Sequence, residues 1–265
     1  MSKINTFLKY FRDFIKWKEY RYILTSIKFI LLRKTTHKSR IYRSSLGTFL
    51  VRKGTIDFQF ANYAYEWNVK NFVYKNLMNY NVFLDVGANI GTYSILLAGK
   101  GLRGYAFEPI QSNYNATRIN LILNGLDEKV KVFNVALGSH KHKAEFAFDV
   151  LNTGASHRIG VELMENLGDK EEIIQSNIVP LDDLMTELDI KKEDKIFMKI
   201  DVEGMEEEVL MGAGKFLQTF PHIMIVMESV HSGKERLIKV LNEIAPFEIL
   251  DVDELNMGAR KILKN

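Results

Sequence analysis

Apolar positions in the first forty residues recur at helical spacing. Phe7, Leu8, Phe11, Phe14 and Ile15 fall on one face, and Ile23, Ile27, Ile30 and Leu31 continue it. This predicts one or two amphipathic helices, ended by the polar run Thr35 to Ser39. From Gly47 the pattern changes. Thr48 to Val51 reads as a strand, Gly54-Thr55 as a turn, and the aromatic-rich run Phe60 to Leu77 as a helix. Beyond residue 80, short apolar runs alternate with helical periods. Strands are predicted at Val82–Val86, Gly104–Glu108, Val130–Val135, Lys195–Ile200, Ile223–Glu228 and Phe247–Val252, with helices at Ile90–Ala98, Ser112–Leu123, Met205–Met211 and Lys234–Asn242. Such alternation implies an α/β fold whose largely parallel sheet is covered on both faces. The stretch from Lys143 to Val179 breaks the rhythm. There β segments Ala144–Phe148 and Ile173–Val179 flank a polar loop containing Asn152-Thr153-Gly154, an insertion placed to build substrate walls.

Composition and charge narrow the function classes. The 265 residues contain no cysteine, which removes disulfides, thiolate metal sites and cysteine nucleophiles and is compatible with a reducing cytoplasm. Net charge is +3, but residues 1–53 carry 14 Lys/Arg against Asp13 and Glu19, a local +12 that leaves −9 for the rest. The division suggests a basic arm that meets an anionic partner, with a solvated helix face as the plain alternative. Phe14 to Leu32 is apolar but interrupted by Lys16, Lys18, Glu19, Arg21 and Lys28, too many charges for a membrane span. It also lacks the small-residue cleavage site of a signal peptide.

The chemistry concentrates at strand ends. Val82-Phe83-Leu84-Asp85-Val86-Gly87-Ala88-Asn89-Ile90-Gly91 is an apolar strand that ends in a carboxylate and opens through glycines into a helix, where backbone amides can face a ligand. Glu108 ends the next strand, 17 residues beyond Gly91, where an acid grips a ribose diol. Nicotinamide dinucleotides use a similar layout. A pyrophosphate, however, is repelled by a carboxylate at Asp85, whereas the ammonium and sulfonium of S-adenosylmethionine are attracted, and the turn is not Gly-x-Gly-x-x-Gly. Asn134 and Ala136, at the end of the third strand, fall where an adenine lies in this topology. Lys199-Ile200-Asp201-Val202-Glu203-Gly204 puts three charges at the tip of the fourth strand, a placement that calls for a ligand or for mutual ion pairing.

In this order the motifs resemble those of the FkbM-type methyltransferases. The pieces are Asp85-Val86-Gly87-Ala88-Asn89-Ile90-Gly91, Ala106-Phe107-Glu108-Pro109, Ala136-Leu137-Gly138, Leu181-Asp182-Asp183-Leu184, Lys199-Ile200-Asp201-Val202-Glu203-Gly204 and Gly212-Ala213, with Val51-Arg52-Lys53-Gly54-Thr55-Ile56-Asp57 upstream. The resemblance covers about residues 47–230. It implies a class I Rossmann-like sheet of seven strands with the last antiparallel, S-adenosylmethionine as methyl donor, and transfer to a hydroxyl of a sugar, a glycan or a natural product. Residues 1–46 are then a basic helical extension and 47–265 the methyltransferase domain, with its Rossmann-like core from about residue 80. Met257 to Leu263 must supply the last strand, which Gly258 weakens.

In that architecture the fourth-strand tip faces the methyl group, so Asp201 is the first candidate base, followed by Glu203, Glu228 and His231, with Lys199 steadying a carboxylate or the acceptor. His231 also fits a surface loop. Asp182, Asp183, Asp201 and Glu228 are compatible with Mg²⁺, but no ligand spacing demands a metal, and Asp182-Asp183 suits a helix N-terminus. Two other function classes stay open: a non-catalytic adenosyl-ligand binder tethered by its basic arm, and a nucleic-acid methyltransferase. The second is disfavoured because no Asn/Asp-Pro-Pro-aromatic element is present. The expected location is the cytoplasm, with peripheral contact between residues 1–46 and an anionic membrane face. Sequence does not speak to the oligomeric state.

Overall fold

The computed structural model describes residues 11–32, 35–154, 157–158 and 171–263. Residues 11–16 are helical, and α1 (Tyr20–Leu32) follows after a turn. Both helices sit on the core through aromatic residues. Tyr22 stacks with Phe14 at 6.3 Å and Tyr42 at 6.0 Å, and its hydroxyl donates to the Ala61 carbonyl at 3.1 Å. Among the described side chains the buried stripe of α1 is Tyr22, Ser26 and Phe29, while Ile23 and Ile27 of the face expected from spacing are only half-buried; the side chains of Ile30 and Leu31 lie outside the described residues. Burial of each such ring contributes roughly 1.5–3 kcal/mol, enough to anchor the arm. Phe7 and Leu8 lie outside the described residues.

A hairpin, β1 (Arg40–Arg43) with β2 (Thr48–Val51), joins this arm to the rest. Glu19 ties the joint together, accepting from the Ser45 hydroxyl at 2.5 Å and the Tyr63 amide at 3.3 Å. The helix expected over Phe60 to Leu77 is split into α2 (Asp57–Phe60) and α3 (Trp67–Asn76). The break has local causes: Asn62 donates to the Phe58 and Gln59 carbonyls, and Glu66, preceding α3, is left-handed at φ 50°.

The core then winds through β3 (Val82–Val86), α4 (Thr92–Gly99), β4 (Arg103–Phe107), α5 (Gln111–Leu123) and β5 (Val130–Phe133). An insertion follows, of β6 (Ala136–Leu137), β7 (His142–Asp149), β8 (His157–Arg158) and β9 (Glu171–Val179). The chain returns through α6 (Leu181–Leu184), β10 (Lys195–Ile200), α7 (Glu206–Gly212), α8 (Gly214–Thr219), β11 (His222–Glu228), α9 (Lys234–Ile244), β12 (Phe247–Asp251) and β13 (Asn256–Lys261).

Seven strands form the main sheet in the order β12-β13-β11-β10-β3-β4-β5, with β13 antiparallel to both neighbours and the other pairs parallel. This is the expected α/β architecture. Every residue of β3 is buried, as a central parallel strand requires. Gly258 has a specific use in β13, since a Cβ there would meet the Phe72 ring at 2.6 Å. Successive strands are added outward in one direction from β3 and in the other from β10, and the crevice at the carboxyl ends of these two parallel neighbours is where α/β sheets bind ligands. A second sheet, β6-β9-β7-β8, stands beside it and delivers the loop after β7.

Candidate active site

Two adjoining chambers, one larger than the other, open at the carboxyl ends of β3, β4 and β10. They share Gly87, Asn89, Gly154, Asp201 and Glu203, so they form one bent cleft whose corner lies at the β3 turn and the β10 tip. Gly87 makes that corner tight. Its φ is +81°, and an added Cβ would fall 1.8 Å from the Asp201 carbonyl oxygen.

Glu108 closes the smaller chamber. Its two carboxylate oxygens accept from the Asn89 amide at 2.8 Å and the Ile110 amide at 2.9 Å. Burial pushes its pKa up to about 7 against the pull of those hydrogen bonds. Ala136 and Val202 line the same chamber, giving an apolar slot beside an acid. Thr153 and Asn113 form its roof and are held from outside. Arg52 forks onto Asp57 at 2.7 and 2.9 Å and reaches Asn113 at 2.9 Å, while Thr153 donates to Asp57 at 3.0 Å. The upstream Val51–Asp57 stretch thus pins the loop after β7 over the cleft.

The larger chamber is acidic. Lys199 donates to Asp201 at 2.7 Å, and Glu66, Glu203 and Glu228 complete its charged wall. Burial acts to lower the Lys199 pKa, but the carboxylates of Asp201, Glu66 and Asp85 outweigh it and hold the ammonium charged. Glu203, left-handed at φ 51°, is pushed up to about 8 by burial and by Asp201 and Glu228; Glu228 is pushed to about 7 by burial and by Asp201. Both therefore hold a proton more readily near neutral pH than an ordinary glutamate does.

Gly87, Asn89, Asp201 and Glu203 of this corner all fall within the stretch that identifies the family. The family model described as the methyltransferase FkbM domain matches residues 85–253, beginning at the carboxylate of the β3 turn and running past β12. The chain belongs to the FkbM methyltransferase family. No curated protein matches it. Among solved structures it is similar to methyltransferase FkbM from Methylobacillus flagellatus KT, with 17% identity, TM-score 0.47, and coverage of 69% of this chain and 44% of that one. It therefore spans less than half of that protein. A SAM-dependent methyltransferase from Aquifex aeolicus shows 14% identity, TM-score 0.42, and coverage of 73% and 89%. An O-methyltransferase from Bacillus cereus, solved with SAH, shows 14% identity, TM-score 0.40, and coverage of 74% and 80%.

In this FkbM methyltransferase, Gly87, Asn89, Glu108, Ala136, Lys199, Asp201 and Glu203 all reach the cleft wall. Asp85 does not. It is 1% exposed, accepts from Ser94 at 2.6 Å beneath the turn, and pairs across the sheet with Lys199. Gly91 likewise stays behind the wall, as the left-handed cap of α4. Asn134 turns away to donate to the Glu108 and Pro109 carbonyls, which makes it a support of the Glu108 loop. His231 is exposed at the rim, with Nε2 3.5 Å from Glu203 and 4.0 Å from Glu228. Asp182 is engaged elsewhere, accepting from the first amides of α8.

Phe60, Tyr65, Glu66 and Tyr93 also line the larger chamber, although no local motif in the sequence marks them, and the first three precede the matched region. Glu206 likewise belongs to no motif that spacing marks. It is buried and accepts from the Val202 and Gly204 amides at 3.3 and 3.2 Å, shaping the loop that carries Glu203.

Proposed function

We propose that this FkbM methyltransferase moves a methyl group from S-adenosylmethionine to a hydroxyl oxygen of a sugar or glycan. The observation that carries the reading is the bent cleft, with a ribose-type acid at one end and an acidic, partly aromatic chamber at the other, meeting at Asp201. S-adenosylmethionine supplies a methyl carbon made electrophilic by its sulfonium. The slot between Glu108 and Val202 suits a nucleoside, and the Gly87 turn lets it approach the backbone. Asp201 at the corner accepts the acceptor's proton as the new bond forms, because a free hydroxyl, with a pKa near that of water at ~15.7, does not ionise beforehand. Lys199 keeps Asp201 oriented. A non-catalytic binder would have no use for this pair at the junction.

Among the described residues, the one cation lining the larger chamber is already paired with Asp201, beside three further acidic side chains, so the wall offers no basic cluster to a phosphate; this favours a neutral acceptor over a phosphorylated one. The same lining disfavours nucleic acid. Calorimetry tests the cofactor half of the reading. Wild type should bind S-adenosylhomocysteine, Glu108→Ala should bind it at least about tenfold more weakly, and NADH should not bind. Binding of NADH alone, or equal affinity in the variant, would overturn it.

The division into an extension, 1–46, and a catalytic domain, 47–265, also belongs to this reading. So does contact between the arm and an anionic membrane on its cytoplasmic face. Phe11, Ile15, Tyr20 and Leu24 are exposed by 37, 46, 56 and 71%, beside the exposed Arg12, Lys18 and Lys28. Among the described residues no helix is long and apolar enough to cross a membrane, so such contact is interfacial. Each cation near an anionic surface contributes about 1 kcal/mol. Full-length protein should float with phosphatidylserine vesicles at low salt, and the Ile15→Ser/Leu24→Ser variant should not. Equal flotation of the two, or none by wild type, contradicts membrane contact.

A further inference from the structure

We infer that Glu66 is the residue that binds the α-ammonium of the cofactor's methionyl end, a role the motif pattern alone assigns to Asp85. The inference rests on the S-adenosyl reading above. Asp85 lies under the β3 turn, bonded to Ser94, and lines neither chamber. A ligand whose ribose sits at Glu108 and which turns the Gly87 corner carries its amino-acid end into the larger chamber. Four acids line that chamber: Asp201 is paired with Lys199, and Glu203 and Glu228 stand on the side of His231 at the rim, away from the glycine turn. Glu66 is the fourth. Its Oε2 accepts from the Tyr93 hydroxyl at 2.9 Å, and Tyr93 stands in the first turn of α4, directly after the glycine turn. Its carboxylate is thereby held on the same side as Gly87, Ala88 and Thr92.

The backbone at Glu66 is left-handed at φ 50°, an uncommon conformation for a glutamate and one that recurs at ligand clamps. Lys70, four residues on and fully buried, donates its ammonium to the neighbouring Tyr65 carbonyl and lies 5.6 and 5.3 Å from the Tyr65 and Tyr93 ring centres. An acid in this backbone, braced by a buried lysine on the adjoining carbonyl and by the Tyr93 hydroxyl, has the form of a preorganised ligand clamp. Lys70 acts through Glu66 and is a positioning residue.

Three probes separate this role from a structural one: S-adenosylmethionine, S-adenosylhomocysteine, and methylthioadenosine, which keeps adenosine and sulfur but lacks the amino-acid end. Titrated by calorimetry, Glu66→Gln should lose at least about tenfold in affinity for the first two while its affinity for methylthioadenosine stays within twofold. Tyr93→Phe, which releases the Glu66 carboxylate, should show the same selective loss in milder form. Equal losses for all three ligands, or unchanged binding of S-adenosylhomocysteine, would overturn the assignment. A wild type that binds methylthioadenosine but neither amino-acid form overturns it as well. Binding of none of the three by wild type would remove the cofactor reading and the proposal with it.

Discussion

Asp201→Asn is expected to lower kcat for methyl transfer by about 100-fold or more while leaving the Kd for S-adenosylhomocysteine within about threefold, since positioned general bases contribute roughly 10²–10⁴. The substitution keeps the shape of a side chain that lies at the junction of both chambers and removes only its charge and proton affinity. Lys199 loses its partner at 2.7 Å but still feels Asp85 and Glu66, so the β10 tip should hold. Steady-state kinetics beside calorimetry distinguishes the outcomes. Retained turnover would shift the role to Glu203 or His231, and a fall in cofactor affinity alone would make Asp201 a binding residue.

Gly87→Ala is expected to damage stability most. The new methyl group falls 1.8 Å from the Asp201 carbonyl oxygen and 2.9 Å from its carbonyl carbon, both backbone atoms that cannot step aside without moving β10. Left-handed strain adds roughly 1–2 kcal/mol and overpacking roughly 1–3 kcal/mol. A total near 3 kcal/mol corresponds to a fall in Tm of roughly 6–12 °C for a protein of this size. Because the Asp201 amide also donates to the Val86 carbonyl at 3.0 Å, the same shift should abolish cofactor binding. A melting temperature within 2 °C of wild type would show that the corner is not as tight as its geometry.

Much of the sheet is legible from apolar runs because central parallel strands are buried on both faces. The expected bounds of β3 and β10 coincide with the observed ones, and β13 forms despite Gly258 because Phe72 needs the space. The cleft is legible where a motif sits on a strand tip, as with Gly87, Glu108 and Asp201. It is illegible where depth decides. Asp85 and Glu108 both end strands, yet only Glu108 reaches the wall, because Ser94 on α4 draws Asp85 beneath the turn. Nor does spacing reveal Glu66, whose place depends on the break between α2 and α3 that Asn62 makes and on its own left-handed backbone, far from any motif. On α1, helical period identifies the element but not its buried face, since Tyr22 wins its place through a hydroxyl bond to Ala61 and two ring contacts.

The central claim, methyl transfer to a hydroxyl, is tested most directly by following isotope from methyl-labelled S-adenosylmethionine after incubation of the wild-type protein with a whole-cell glycan extract and, separately, with RNA. The account predicts label in the glycan fraction, released on acid hydrolysis as a sugar methyl ether, with Asp201→Asn giving about 1% of that signal or less. Label recovered on a base nitrogen of RNA, or no label in any hydroxyl under conditions where S-adenosylhomocysteine binds, would contradict it.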